Sequence, residues 1–149
     1  MKNIFTILAL TIGFSMNAQM VDNSIGCSAT TLSVAMGYYT QANGSISTAM
    51  GYNTDAIGGA STAMGDNTQA FGGASTAMGR YTEASGNYST AMGYNTDAIG
   101  GASTAMGRST TASDYASLVI GQYNSSGSSA TSATAFSTAN TAFVIGNGV

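Results

Sequence analysis

The 149-residue sequence has no histidine, no proline and no tryptophan, and its one cysteine is Cys27. Without histidine there is no imidazole base, no serine or cysteine triad of the usual kind and no histidine metal ligand. A lone cysteine makes no internal disulfide, and paired-cysteine redox or zinc motifs are equally excluded. Charge is scarce as well. Only 6% of residues are charged, against about 25% in ordinary globular chains. Three basic residues face six acidic ones, for a net charge of −3, which is the wrong sign and size for a nucleic-acid footprint, so no nucleic-acid partner is expected. The hydrophobic fraction is nevertheless 44%, so the chain is not of the charge-rich disordered kind. What it has in quantity is Gly, Ala, Ser, Thr and Met.

Residues 1–19 read as a secretory signal peptide. Lys2 precedes a largely apolar run from Ile4 to Phe14, and Ser15-Met16-Asn17-Ala18-Gln19 supplies a small polar cleavage region. The run is too short to span a bilayer. Its removal takes away the only lysine and leaves Arg80 and Arg108 against six carboxylates. Residues 20–32 form a lead-in containing Cys27, which has three readings: an inert thiol, a cross-link between chains or a lipid attachment point. Ser24-Ile25-Gly26-Cys27 is a poor lipoprotein-processing site, since serine stands three residues before the cysteine where leucine is wanted.

Residues 33–130 are a repeat. Gly37, Gly51, Gly65, Gly79, Gly93, Gly107 and Gly121 recur every 14 residues, closing blocks that read SVAMG, then STAMG five times, then SLVIG. The stretch Ser47 to Gly65 recurs unchanged as Ser89 to Gly107. Counting from the serine, position 1 is Ser, 3 is Ala, 4 is Met, 5 is Gly, 8 is Thr, 10 is Ala and 12 is Gly, with few exceptions. Two or three glycines in every fourteen residues disfavour a helix, each costing about 1 kcal/mol in a helix interior. Collagen and heptad spacings are absent. The pattern fits a narrow β-coil of two short strands and two tight turns, with the position 5 glycines at a turn, stacked in register as a parallel β-solenoid.

Alternation assigns faces. Positions 3, 10 and 12 carry Ala, Ala and Gly, small enough to let the two strands of one coil approach. Positions 2 and 4 point the other way. Met36, Met50, Met64, Met78, Met92 and Met106, continued by Ile120, therefore form an apolar stripe that a soluble monomer does not usually expose. A second chain is expected to cover it. The alternative places the methionines inside the coil, where their flexibility suits irregular gaps, and the alanines outside.

The Ser-Thr-Ala-Met-Gly block followed by Thr-x-Ala-x-Gly resembles the head repeat of YadA-like trimeric autotransporter adhesins over about Ser33 to Ser129, with an echo at Asn140-Thr-Ala-Phe-Val-Ile-Gly146. The resemblance implies a left-handed parallel β-roll, three chains about one axis, and an adhesive head on a Gram-negative cell surface. Met at position 4, where the family favours Ile, Leu or Val, and Thr at position 2 depart from its pattern. A coiled-coil stalk and a membrane-anchoring barrel segment, present in full-length members, have no counterpart after Gly121. Membrane attachment would need a separate anchor. Residues 131–149 read as a degenerate repeat that stops in mid-pattern, as in a truncated product or a head leading into a further domain.

Enzymatic activity is not expected, and no cofactor or metal is implied. Asp55 and Asp97 lie three coils apart, about 14 Å at the strand spacing, too far to share a proton within one chain. The Gly-Gly pairs at 58–59, 72–73 and 100–101 lack the aspartate of a calcium-binding roll and the Lys of a phosphate loop. Adhesion is the leading reading, with Tyr38, Tyr39, Tyr52, Tyr81, Tyr94 and Tyr123 offered to an extracellular protein or glycan. One rival is binding to ice or another ordered surface through threonine ladders at positions 2 and 8. A second is a fibre or spacer segment without receptor contact.

Overall fold

The computed structural model describes residues 28–29, 32–124 and 132–147. The signal segment 1–19 and Cys27 lie outside the described residues. Each coil contributes a five-residue strand from positions 2 to 6 and a two-residue strand from positions 9 to 10. The long strands are β2 (Val34–Tyr38), β4 (Thr48–Tyr52), β6 (Thr62–Asp66), β8 (Thr76–Arg80), β10 (Thr90–Tyr94), β12 (Thr104–Arg108) and β14 (Leu118–Gln122), and β15 (Phe143–Asn147) adds an eighth rung. The short strands are β3 (Gln41–Ala42), β5 (Asp55–Ala56), β7 (Gln69–Ala70), β9 (Glu83–Ala84), β11 (Asp97–Ala98) and β13 (Thr111–Ala112), preceded by β1 (Ser28–Ala29). Both sheets are parallel, and from β2 to β14 equivalent residues pair across successive coils: Met50 beside Met64, Gly51 beside Gly65. The chain is a β-solenoid of 14-residue coils.

The core is two columns of methyl groups. From Ala35 to Ala112 the alanines at positions 3 and 10 are wholly buried, and Val119 ends the first column. The methionines stand on the outer face of the long-strand sheet, half-buried or, at Met50 and Met106, exposed. The interior alternative for them is therefore excluded. Alanine is inside because only a methyl group fits where two strands of one coil face each other, and a thioether chain does not.

Two sequence expectations need correction. The glycines Gly37, Gly51, Gly65, Gly79, Gly93, Gly107 and Gly121 do have positive φ, between 101° and 133°, but they lie within the long strands. The turns are made by residues with φ near +50° to +60° at positions 7 and 14, such as Asn53, Asn67 and Tyr81, and Ala60, Ala74 and Tyr88. Their backbone explains why. Strand N–H groups donate forward, as Thr48 N–H does to the Ser61 carbonyl at 2.9 Å, whereas position 7 and 14 N–H groups donate backward, as Asn67 does to Tyr52 (2.9 Å) and Ala74 to Gly59 (2.7 Å). A left-handed residue swings the donor round to the preceding coil, so the ladder continues through the corners.

Second, the position 8 threonines Thr40, Thr54, Thr68, Thr82, Thr96 and Thr110 are buried, as are the position 1 serines. A threonine ladder inside the roll cannot template water, which removes one of the two ladders on which the ice-surface reading stood. Ser47, Ser89 and Ser117 close the other corner by donating Oγ–H to the carbonyl three residues back, at 2.7, 2.6 and 2.8 Å. The lead-in also contributes β1 to the short-strand sheet, with Ala29 in register with Ala42.

Beyond the last complete coil, residues 132–142 run back along the roll. Tyr115 N–H donates to the Ser132 carbonyl and Gly101 N–H to the Ala133 carbonyl, both at 2.7 Å. The chain then enters β15, which pairs with β14 so that Ile145 lies beside Ile120 and Gly146 beside Gly121.

Candidate functional site

Two surfaces of the roll carry features beyond scaffolding. The first is the outer face of the long-strand sheet. In-register stacking turns one methionine per coil into a continuous column running from Met36 through Met106 to Ile120 and Ile145. Beside it the position 2 column, largely threonine, ends in Leu118 and Phe143. Phe143 and Ile145 are well exposed, and they lengthen the apolar face beyond what the 14-residue period shows.

The second is the edge formed by positions 6 and 7, immediately after the long strand. Tyr38, Tyr39, Tyr52, Tyr81, Tyr94 and Tyr123 are all on it and all exposed. Stacking again makes the geometry. Tyr38 and Tyr52 are equivalent residues of adjacent coils, and their rings lie parallel with centroids 5.5 Å apart. Tyr39 meets Tyr38 edge-on at 4.3 Å. Hydrogen bonding and repulsion from Tyr39 push the Tyr38 phenol above its ordinary value. Further along, Tyr81 and Tyr94 meet edge-on at 6.0 Å.

Both arginines belong to the same ridge, because Arg80 and Arg108 occupy position 6 just as Tyr52 does. Arg80 lies 4.8 Å from the Tyr81 ring centre, and Arg108 lies 5.9 and 5.4 Å from those of Tyr94 and Tyr123. Arg80 also pairs with Asp66 of the preceding coil at 3.0 Å. Both partners are solvated, so this contributes little to stability. Asn67 Nδ2–H donates to Asp66 at 2.6 Å, and Asn53 Nδ2–H to Asn67 Oδ1 at 2.6 Å. Sequence reasoning picked out the tyrosines and missed the arginines, whose shared place at position 6 of the repeat was the signal available for them. The ridge offers amphipathic rings, cation–π pairs and side-chain amides in one line, a chemistry suited to binding.

The short-strand sheet faces outward with Asp55, Gln69, Glu83 and Asp97 at position 9. Glu83 and Asp97 are on adjacent rungs. Burial first, and the Glu83 charge second, hold the Asp97 carboxyl above its ordinary value. A raised value in the folded state means that this group's stabilising share is full below its unfolded value and lost as pH rises through the folded one. Asp97→Asn is therefore expected to raise stability near pH 7 by at most about 1 kcal/mol, because the side chain is half-solvated, and to change nothing near pH 3. Thermal melts at the two pH values check this; an equal shift at both would contradict it.

Among the described residues, no three His, Cys, Asp or Glu side chains are grouped to hold a metal ion. Asp55 and Asp97 stand on rungs separated by β7 and β9 and are not brought together. Among families of known proteins, the model of the YadA head domain repeat matches residues 31–54, 56–82, 72–96 and 98–124. No curated protein matches the chain, and no solved structure does.

Proposed function

The chain belongs to the YadA head domain repeat family, and from that premise we propose that it is a non-enzymatic adhesin head, exported to a Gram-negative cell surface and assembled as a homotrimer. The observation that carries the reading is the outward methionine column. The apolar side chains inside each complete coil are two alanine methyl groups, beside a buried serine and a buried threonine, so the larger apolar side chains are on the wrong side to stabilise a monomer. Burying them against two further copies removes that surface from water, at roughly 25 cal/mol per Å². Trimerisation also triples the tyrosine ridge, so that weak contacts to a protein or glycan act together. The threonine column that remains outside is half-buried beside the methionines, which leaves the ordered-surface reading behind adhesion.

The test is the double substitution Met64→Asp with Met78→Asp in the full chain. Two charges on adjacent rungs of a buried seam are expected to convert a three-chain solution mass into a single-chain mass, keep the β-type circular dichroism, and lower attachment to cells or matrix by at least about tenfold through lost avidity. A wild-type chain that is already monomeric, or a variant that keeps both mass and attachment, would sink the proposal.

A further inference from the structure

The edge opposite the tyrosine ridge, where positions 11 to 14 turn back toward the long strand, holds a cleft of about 360 Å³. Its lining includes Tyr88, Tyr115, Thr134, Ile99 and Gly101. The repeat supplies its own control. Ile99 and Gly101 belong to the stretch Ser89 to Gly107, which duplicates Ser47 to Gly65 without change. Forty-two residues earlier, the same Ile57 and Gly59 are accompanied by Ile46 where Tyr88 stands and by Gly73 where Tyr115 stands. Both tyrosines depart from the habit of their positions. Position 14 is Ala in four coils, at Ala60, Ala74, Ala102 and Ala116, and position 13 is Gly at Gly59, Gly73 and Gly101.

The returning segment completes the lining with Ala133 and Thr134. The Ala133 carbonyl accepts from Gly101 N–H, and the Ser132 carbonyl from Tyr115 N–H. Asn140 Nδ2–H donates to the Ala135 carbonyl at 3.1 Å, which steadies the turn that presents Thr134. Gly101 is close-packed here: a Cβ on it would stand 3.2 Å from the Tyr115 ring and 3.4 Å from the Ala133 oxygen.

Every polar group lining the cleft is neutral. Ser85 and Thr134 bring hydroxyls that both donate and accept. Asn87, whose Oδ1 accepts from Gly73 N–H at 2.8 Å, retains its amide NH2 as a donor. Tyr88, one of the lining residues, is 73% exposed, a large ring left open to solvent. Tyr88 and Tyr115 belong to coils two rungs apart, about 10 Å along the stack at the strand spacing, and both line the cleft. Two aromatic rings in one uncharged lining with mixed donors and acceptors match the apolar C–H faces and hydroxyl rim of a sugar ring, and the volume lies at the lower end of ligand pockets.

We propose that this cleft is a binding site for a neutral saccharide of one or two pyranose units, distinct from the tyrosine ridge and formed only where the returning segment closes the fifth and sixth coils. The test uses the full chain and saturation-transfer NMR with glucose, galactose, mannose, N-acetylglucosamine and lactose, and with sialic acid as the charged comparator, at about 10 mM each, a range suited to weak sugar binding. At least one is expected to receive transfer. Tyr88→Ala with Tyr115→Gly should weaken that binding at least about tenfold, with unchanged circular dichroism, since both changes restore the repeat's own residues. Ile46→Ala, the matching place one copy earlier, should leave it as it was. No transfer to any of the five sugars, binding that survives the double change, or preference for sialic acid over all five would overturn the proposal. None of these readings involves cell attachment, so the cleft and the adhesin reading stand or fall separately.

Discussion

Gly65→Ala is expected to cost about 4 kcal/mol or more, which is at the extreme for one methyl group. Gly65 has φ +132°, in territory that is essentially reserved for glycine and costs other residues roughly 1–3 kcal/mol. A Cβ there would also run into the backbone carbonyl of Gly79 in the next coil. A carbonyl held in a parallel ladder cannot step aside as a side chain can, so the two coils must separate and the hydrogen bonds between β6 and β8 must stretch. Each coil touches only its neighbours, so the damage divides the roll at that point. Gly59→Ala is the matched control. Nothing lies within 4 Å of the added Cβ, and φ is not positive, so a gain of about 0.4–1 kcal/mol is expected from the stiffer unfolded chain. Thermal unfolding followed by circular dichroism compares the two. If Gly65→Ala melted within about 2 °C of the parent, close coil-to-coil approach would not be what position 5 requires.

The second large effect belongs to Asp114. In five coils position 12 is glycine, Gly44 to Gly100, because a Cβ would strike the backbone of the following coil. Asp114 occupies that position in the sixth coil, and its carboxylate ties down the returning chain. It is only 2% exposed. Its Oδ2 accepts from Thr141 N–H at 2.9 Å and its Oδ1 from Ser132 N–H at 3.3 Å. Hydrogen bonds to a charged group contribute about 1.5–3 kcal/mol each. Asp114→Ala is therefore expected to weaken docking of residues 132–147 by about 3–5 kcal/mol, releasing β15 from β14 while the coils from Ser33 to Ala112 stay folded. Hydrogen exchange at the Thr141 and Ile145 amides reads the release directly. Protection at those amides equal to that of the parent would show that strand pairing alone holds the segment.

Much of this architecture was legible in the residues. A strict period with identical neighbours allows only in-register stacking, and alternation within the long strand put Ala35 and its equivalents inside and Met36 and its equivalents outside. The corners were harder. Ser47 and Thr54 stand two residues before Ala49 and Ala56, in phase with them, so the same alternation turns them inward and buries them once the strand path is carried back to the corner. Glycine misled as well. It marks positions where backbone passes close to backbone, whereas the left-handed turn conformation falls on Asn53, Ala60 and Tyr81, whose N–H groups must reach the coil behind. On the ridge, the six tyrosines were visible from their abundance, while Arg80 and Arg108 entered through their stacking against Tyr81, Tyr94 and Tyr123. The echo at Phe143-Val-Ile-Gly146 marked β15, which pairs with β14 in the repeat's register, whereas β1 and the path of residues 132–142 could not be read, since neither keeps the 14-residue spacing.

The sequence by itself determined the coil, its repetition and the composition of its two faces, because each depends on residues a few places apart along one chain. The tertiary structure decided which glycines are irreplaceable, how Asp114 ends the stack and where Tyr88 and Tyr115 enclose a cleft. Those depend on what lies one rung above or below and on a segment that returns from outside the repeat, and contacts of that kind are set by the folded path of the chain.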